Sequence, residues 1–277
     1  MAKEKVDVLL KYYLSISGTN HLHYGYWIKG EEFTMKNFRL AQERYSDHLI
    51  SFIPYGTTKI LDVGCGVGGN TLTLMRKEYQ VVALSPDSYQ RRVFEENTQG
   101  KIPFCLSTFE EFTSQEKFDL ILMSESCQYI DIEKGLKKCR EVLRPGGYLL
   151  VADYFKVKRS RSNEEGIPIS GHSLEEYLEK ITSAGFKMVN SEDITSSVSP
   201  TLDFRKEFYQ QYLMPTLKII AFTIKVNVPH LYALSNFFLG RILRRMVEHG
   251  FEKPGSVDSK LFTRSRKYMI YLFQLAS

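Results

Sequence analysis

Several features that would narrow function quickly are scarce in this chain. It has four cysteines and one tryptophan in 277 residues. Cys65, Cys105, Cys127 and Cys139 lie 40, 22 and 12 residues apart, which fits neither a zinc motif nor a dense disulfide framework. A reducing, cytoplasmic setting is therefore expected. No stretch of about 18 uncharged apolar residues occurs, so no membrane-spanning helix is expected. The opening MAKEKVDVLLKYYLSI holds no apolar core of about seven residues and no small-residue cleavage site, so export is not expected either. Charge of one sign is scarce too. Thirty-seven Lys+Arg against 32 Asp+Glu leave +5, too weak a bias to argue for nucleic acid, though compatible with an anionic membrane surface. Repeats of about 20 to 50 residues and low-complexity tracts are missing, which removes solenoids and propellers.

What is present is an alternation. Apolar runs KILDV (59–63), QVVAL (80–84), IPFCL (102–106), FDLILM (118–123) and YLLVADYF (148–155) are separated by amphipathic stretches of helical length. That pattern predicts an α/β fold with a doubly wound, mostly parallel sheet. Val6, Leu9, Leu10, Tyr13 and Leu14 mark one face of a first helix; Phe38, Ala41, Tyr45, Leu49 and Phe52 mark a second. Ile132, Leu136, Cys139, Val142 and Leu143 form a third stripe after the N-cap residue Asp131, stopped by Pro145-Gly146-Gly147. Ser173 and Glu176 have capping-box spacing. Phe186 to Ile194 and Tyr268 to Leu275 read as strands, but Tyr268 comes 74 positions after Ile194, far more than a hairpin needs. Within that gap, residues 204–249 are apolar, aromatic and helical in pattern, interrupted by Pro215 and Pro229. Two or three helices forming a cap are expected there.

The most specific feature is Leu61-Asp62-Val63-Gly64-Cys65-Gly66-Val67-Gly68-Gly69-Asn70, at the end of the first central strand and the start of a helix. Gly64 and Gly66 permit a tight turn and close backbone approach to a ligand, and the helix N-terminus offers free N–H groups. Gly64, Gly66 and Gly69 also satisfy the dinucleotide fingerprint, so a nicotinamide-dependent oxidoreductase is an alternative. Asp62 argues against it, because a carboxylate two residues before the first glycine repels a pyrophosphate but suits the ammonium group of a zwitterion.

Taken together, LDVGCGVGG, FDLILMSES and LRPGGYLLVAD resemble the Rossmann-like S-adenosylmethionine (SAM) dependent methyltransferases over about residues 21–195 and the last strand. Leu22-His23-Tyr24-Gly25-Tyr26-Trp27 is similar to a segment of the tocopherol, glycine/sarcosine and prenyl C-methyltransferase group, where it folds over the cofactor. The resemblance implies SAM as cofactor and an antiparallel last strand. Asp62, Gly64, Cys65, Gly66 and Gly68 would hold its methionine part, with Ser124 nearby at the end of the fourth strand. Tyr24, Tyr26 and Trp27 would offer aromatic faces to the sulfonium, with Tyr12 and Tyr13 in support; simple aromatic packing is the competing reading.

The chain departs from the family at the second strand, which usually ends in an acid for the ribose hydroxyls and here ends in Ser85. Ser85 and Gln90 are the expected ribose contacts, and Asp87 is a natural N-cap. Thr108 and Phe109 are expected at the adenine. In Ser124-Glu125-Ser126-Cys127-Gln128-Tyr129, Tyr129 stands where relatives with ESxxH carry histidine. Glu125, Tyr129 and His23 are the candidate catalytic residues, Glu125 as a base whose pKa partial desolvation would raise. A cap, a salt bridge or core packing are the competing readings. His21 and His23 lack a third ligand, so no metal is expected. Cys65 and Cys127 read as small buried residues rather than nucleophiles.

Segment 201–254 carries eight Lys/Arg against four acids. An apolar cap with a basic rim, including Arg241, Arg244 and Arg245, suits a lipid- or isoprenoid-like acceptor taken from a membrane surface. A homodimer interface or a cover for the sheet edge is the alternative. The polar loop Lys156 to Arg161, with Asn163 to Gly166 behind it, reads as a gate or a solvated charge run. The division expected is a helical lid (1–55), a SAM-binding core (56–200), a helical cap (201–264) and the last strand of the core (265–277). A small-molecule acceptor is expected and a nucleic acid is not. The acceptor atom, carbon, nitrogen or oxygen, stays open, as does a SAM-binding regulatory protein without catalysis.

Overall fold

The computed structural model describes residues 7–157, 171–227 and 259–276. Arg241, Arg244, Arg245, Pro229, Val6, Asn163 to Gly166 and most of the Lys156 to Arg161 loop lie outside the described residues. Seven strands form one sheet: β1 (Lys59–Val63), β2 (Gln80–Ser85), β3 (Phe104–Leu106), β4 (Phe118–Ser124), β5 (Leu143–Lys156), β6 (Phe186–Asp193) and β7 (Arg266–Leu275), in the order β3-β2-β1-β4-β5-β7-β6. Strands β1 to β5 pair in parallel, whereas β7 runs antiparallel to both β5 and β6. This is the α/β, Rossmann-like arrangement that the alternating apolar runs predict. The central strands are buried on both faces: Ile60, Leu61, Leu120, Ile121, Leu122, Leu149 and Leu150 have no exposed surface, as a sheet covered by helices requires.

The helices follow the apolar stripes. α1 (Val8–Ser17) is capped by Asp7, and α2 (Met35–Ile50) by Thr34, with Phe38, Ala41, Tyr45 and Leu49 buried along one face. α3 (Gly69–Arg76) follows β1; α4 (Ser88–Thr98) starts at Asp87, whose carboxyl accepts from the N–H groups of Tyr89 and Gln90. α5 (Ile132–Val142) starts at Asp131 and ends one residue short of Leu143, which already belongs to β5. The capping box expected at α6 (Leu174–Ser183) does not form. Ser173 occupies the N-cap without a side-chain cap bond, and Glu176 instead pairs with Lys180 one turn on.

The gap before β7 begins with α7 (Thr195–Val198) and α8 (Pro200–Phe208), then one π-helical turn (Tyr209–Leu213), then α9 (Met214–Asn227); α10 (Ser259–Ser265) leads into β7. Pro215 does not interrupt this run. It sits in the first turn of α9 directly after the π turn, where a missing N–H is tolerated.

Residues 21–27 form an extended strap. Burial alternates along it, with His21, His23, Gly25 and Trp27 buried and Leu22, Tyr24 and Tyr26 half-buried, the period of two that an extended chain imposes. The strap is fastened at several points: Tyr26 N–H donates to Ala41 O, Trp27 N–H to Ser197 O, and Gln42 Nε2 to the carbonyls of His21 and His23. The buried Thr201 hydroxyl of α8 accepts from both Gly25 N–H and Trp27 Nε1, each at 2.9 Å. Thr201→Val would leave those two buried donors unpaired and should cost about 3 kcal/mol. Urea unfolding followed by the emission of Trp27, the sole tryptophan, measures this; an unchanged midpoint would show that the strap is held elsewhere.

Candidate active site

The sheet order reverses between β1 and β4, and a cleft opens at their carboxyl ends, the place where open α/β sheets bind ligands. Its volume is about 480 Å³, within the range of small-molecule sites. The β1–α3 loop forms one wall. Gly64 (φ 74°) and Gly66 (φ 56°) adopt left-handed backbone conformations. A Cβ on Gly64 would stand 2.4 Å from Ser126 Cβ, and one on Gly66 would stand 3.0 Å from Leu22 of the strap. Glycine is therefore required where this loop meets both the β4 loop and the strap. Ser126 Oγ donates to Val63 O at 2.6 Å and locks the two loops together.

Of the residues expected at the cofactor, Gly64, Cys65, Gly66, Ser85, Gln90, Thr108, Phe109 and Ser124 line the cleft. Ser85 Oγ donates to Gln90 Oε1 at 3.1 Å, so the two present one polar pair at the end of β2. Burial pushes the Cys65 thiol up, which suits a small packing residue better than a nucleophile.

Five of the expected residues are placed otherwise. Asp62 is buried, is not among the residues that line the cleft, and accepts from Thr71 Oγ1 at 2.6 Å; burial raises its carboxyl to about 6, against the lowering effect of that bond. Gly68 caps α3 and fits beneath the Phe94 ring. Trp27 packs with Phe33, Phe38 and Phe204, Tyr26 against His48, and the Tyr24 side chain against Phe262 and Tyr268. None of these aromatic side chains lines the cleft. The cleft meets the strap at Asn20 to His23, and the three aromatics lie farther along it, past the point of contact. Tyr12 and Tyr13 are also away from the cleft, Tyr13 donating to His21 O.

The three candidate catalytic residues all reach the cleft. Glu125 has φ 54°, a left-handed conformation that is uncommon outside glycine. Its Oε1 accepts from Tyr24 N–H at 2.7 Å and from Tyr268 Oη at 2.8 Å. Both bonds land on one oxygen, which leaves Oε2 for another partner. Burial raises this carboxyl, while the two hydrogen bonds and the charge of Arg205 pull it back. Tyr129 is largely exposed at the cleft mouth. His23 is buried and stacked on Tyr45, ring centroids 4.1 Å apart; its Nδ1 pairs with Tyr24 O and its Nε2 lies 3.0 Å from His21 Nδ1. Burial holds His23 well below its ordinary pKa and takes His21 to about 4. Both rings are therefore neutral near pH 7, and His23 ties the strap to Tyr45 and Ser46 of α2. No cluster of three metal-ligating side chains occurs among the described residues.

Some residues in and behind the cleft were given no role by the sequence. Tyr268 and Tyr45 join hydroxyls at 2.7 Å, and Tyr45 continues to Ser124 Oγ at 3.1 Å, so a hydroxyl chain from β7 and α2 backs Glu125. Asn20, Leu22 and Asn70 line the cleft, and Asn70 Oδ1 accepts from Ser46, which also contacts His21 and His23. Asp153 on β5 is fully buried. Burial and then the Glu125 charge raise it to about 7, and it accepts from Gln128.

Comparison with known proteins agrees with this geometry. Residues 61–151 match the methyltransferase domain family. The chain is 29% identical over 116 residues to a ubiquinone biosynthesis O-methyltransferase of Bradyrhizobium diazoefficiens, covering 40% of this chain and 46% of the relative. It thus spans about half the length of that relative. It is 27% identical over 203 residues to methyltransferase GfsG of Streptomyces halstedii, covering 66% of this chain and 72% of the relative. Among solved structures, the cyclase SpnF superposes with a TM-score of 0.69 at 19% identity, covering 98% of this chain and 93% of that one. A geranyl diphosphate C-methyltransferase of Streptomyces coelicolor, with S-adenosyl-L-homocysteine, superposes with a TM-score of 0.68 at 14% identity, covering 95% and 91%. Residues 61–151, from β1 into β5, are thus a methyltransferase domain, and the sheet that carries it has the Rossmann-like fold of the superposed structures.

Gly64→Ala should weaken binding of S-adenosylhomocysteine at least about tenfold, since the added methyl must displace Ser126. Trp27→Phe should leave that affinity within about twofold, because the ring packs away from the cleft. Isothermal titration of both variants decides the matter; the reverse pattern would restore the strap aromatics to the cofactor.

Proposed function

We propose that the protein transfers a methyl group from SAM to a small organic acceptor of apolar, lipid- or isoprenoid-like character, with Glu125 as the proton acceptor. The observation that carries this reading is the cleft itself, where the glycine loop, the Ser85–Gln90 pair and Phe109 meet Glu125 and Tyr129 in one continuous lining. SAM fits that lining: a close-approach backbone at Gly64 and Gly66 for the amino-acid part, a polar pair for hydroxyls, and an apolar wall for a base. Bound there, SAM supplies a methyl group activated by a sulfonium. The chain supplies alignment and, at Glu125 Oε2, a place for the proton of the acceptor. A reducing compartment suits the free Cys65, Cys105, Cys127 and Cys139.

Support for an apolar acceptor comes from the relatives, which include a ubiquinone O-methyltransferase and a geranyl diphosphate C-methyltransferase, and from α9. This helix exposes Ile219, Ile220, Phe222 and Val226 beside Lys218, the pattern of a helix that lies on an anionic membrane surface. No helix among the described residues is long and apolar enough to cross a membrane.

Because Glu125 must be ionised to accept a proton, activity should fall as pH drops through its raised pKa. Glu125→Gln should lower kcat about a hundredfold and flatten that acid limb. Tyr268→Phe removes a bond that favours the carboxylate, so it should move the limb to higher pH. A pH–rate profile of all three proteins tests this, and an unaltered limb in Glu125→Gln would reassign the base. For the membrane contact, co-sedimentation with anionic vesicles should be lost in an Ile219→Asp, Phe222→Asp double variant. Failure of the native protein to sediment, or its dimerisation through the same face, would remove the lipid-surface reading.

A further inference from the structure

Beyond the cleft, aromatic rings gather between the strap, the carboxyl end of β5 and the amino end of β7. The rings of Tyr24 and Tyr154 each lie 5.9 Å from Phe262 of α10, and Tyr24 lies 5.8 Å from Tyr268. Tyr24 and Tyr154 are only half-buried. Over the Tyr24 ring stands Arg205 of α8, its guanidinium carbon 5.1 Å from the centroid.

Arg205 is unusual in its company. It is half-buried, and its partner is the Tyr24 ring, with no ion pair or side-chain hydrogen bond among the described residues. Glu125 is anchored to the backbone of the same Tyr24, yet the two opposite charges do not meet. The Arg205 charge is nevertheless near enough to offset part of what burial does to Glu125, Tyr24 and Tyr13. A cation set on an aromatic ring, with its planar fork of donors unspent, is built to receive a planar or tetrahedral oxyanion. α8 fixes its position: Thr201, one turn earlier on the same face, holds Gly25 and Trp27 of the strap.

We propose that Arg205 binds an oxyanion on the acceptor, a carboxylate or a phosphate, and so directs the acceptor's nucleophilic group toward Glu125. The half-buried rings of Tyr24 and Tyr154, backed by the buried Phe262, flank the acceptor's apolar body. This assignment rests on the methyltransferase reading above and narrows it to acceptors that carry a negative charge.

The test uses the full-length protein saturated with S-adenosylhomocysteine and titrated with three probes: para-hydroxybenzoate, its uncharged methyl ester, and inorganic pyrophosphate. The native protein should bind para-hydroxybenzoate or pyrophosphate at least about tenfold more tightly than the ester, and which of the two anions binds identifies carboxylate or phosphate as the recognised group. Arg205→Ala should abolish the preference and Arg205→Lys should restore part of it, with S-adenosylhomocysteine affinity within about twofold throughout. Thermal unfolding of Arg205→Gln, which keeps the length of the side chain, separates recognition from folding. Normal S-adenosylhomocysteine binding with no anion preference, or one that survives in Arg205→Ala and Arg205→Gln, overturns the assignment alone. If the native protein does not bind S-adenosylhomocysteine, the methyltransferase reading falls and this inference falls with it.

Discussion

Much of the site depends on one oxygen atom. Glu125 Oε1 receives the N–H of Tyr24, 101 residues earlier in the chain, and the hydroxyl of Tyr268, 143 residues later. Strap, central strand and last strand therefore converge on a single carboxylate. The left-handed backbone at Glu125 is a strained conformation of order 1 kcal/mol or more, and such strain persists where the surroundings over-determine it. Here the surroundings are those two donors and the bond from Glu125 N–H to Ala152 O. Drying the carboxylate raises its proton affinity, and donating to it lowers that affinity again. Burial is the larger of these effects, so the net shift is upward.

The sheet was legible because parallel strands buried on both faces must be nearly continuous in apolar residues, and KILDV, FDLILM and YLLVADYF are apolar but for Lys59 and one aspartate each. The glycine loop was legible for a related reason: Gly64 and Gly66 have positive φ, and few other residues tolerate it. Contacts made by remote stretches were not legible. Nothing local to Tyr268 or Tyr45 signals a hydroxyl pair, since each lies on a strand or helix whose apolar pattern accounts for it. The strap is the instructive case. Its aromatics suggested a cage for a sulfonium, yet the cleft meets the strap at Asn20 to His23, and Trp27, farther along it, goes to a core of Phe33, Phe38 and Phe204. Asp62 shows the same limit, since its place before the glycines is visible in sequence and its turn toward Thr71 is not.

The solved structures that share this fold also bound what fold can say. A cyclase and a C-methyltransferase superpose on the chain about equally well, so the architecture supplies a cleft and the side chains at its mouth decide the chemistry. For this chain the groups at that mouth are Glu125 and Tyr129, beside the residues of the strap. The glycine loop follows β1 and Glu125 follows the neighbouring β4, which places both on one rigid support.

The π-helical turn at Tyr209–Leu213 changes the helical phase of everything after it. Accommodating one additional residue in a turn rotates the following helix by about 100° relative to an uninterrupted one. α8 spends its apolar stripe inward, on Trp27 and Phe38 through Phe204, whereas α9 turns Ile219, Phe222 and Val226 outward. One widened turn thus lets a nearly continuous helical run serve two masters, the protein interior along its first half and the surrounding medium along its second.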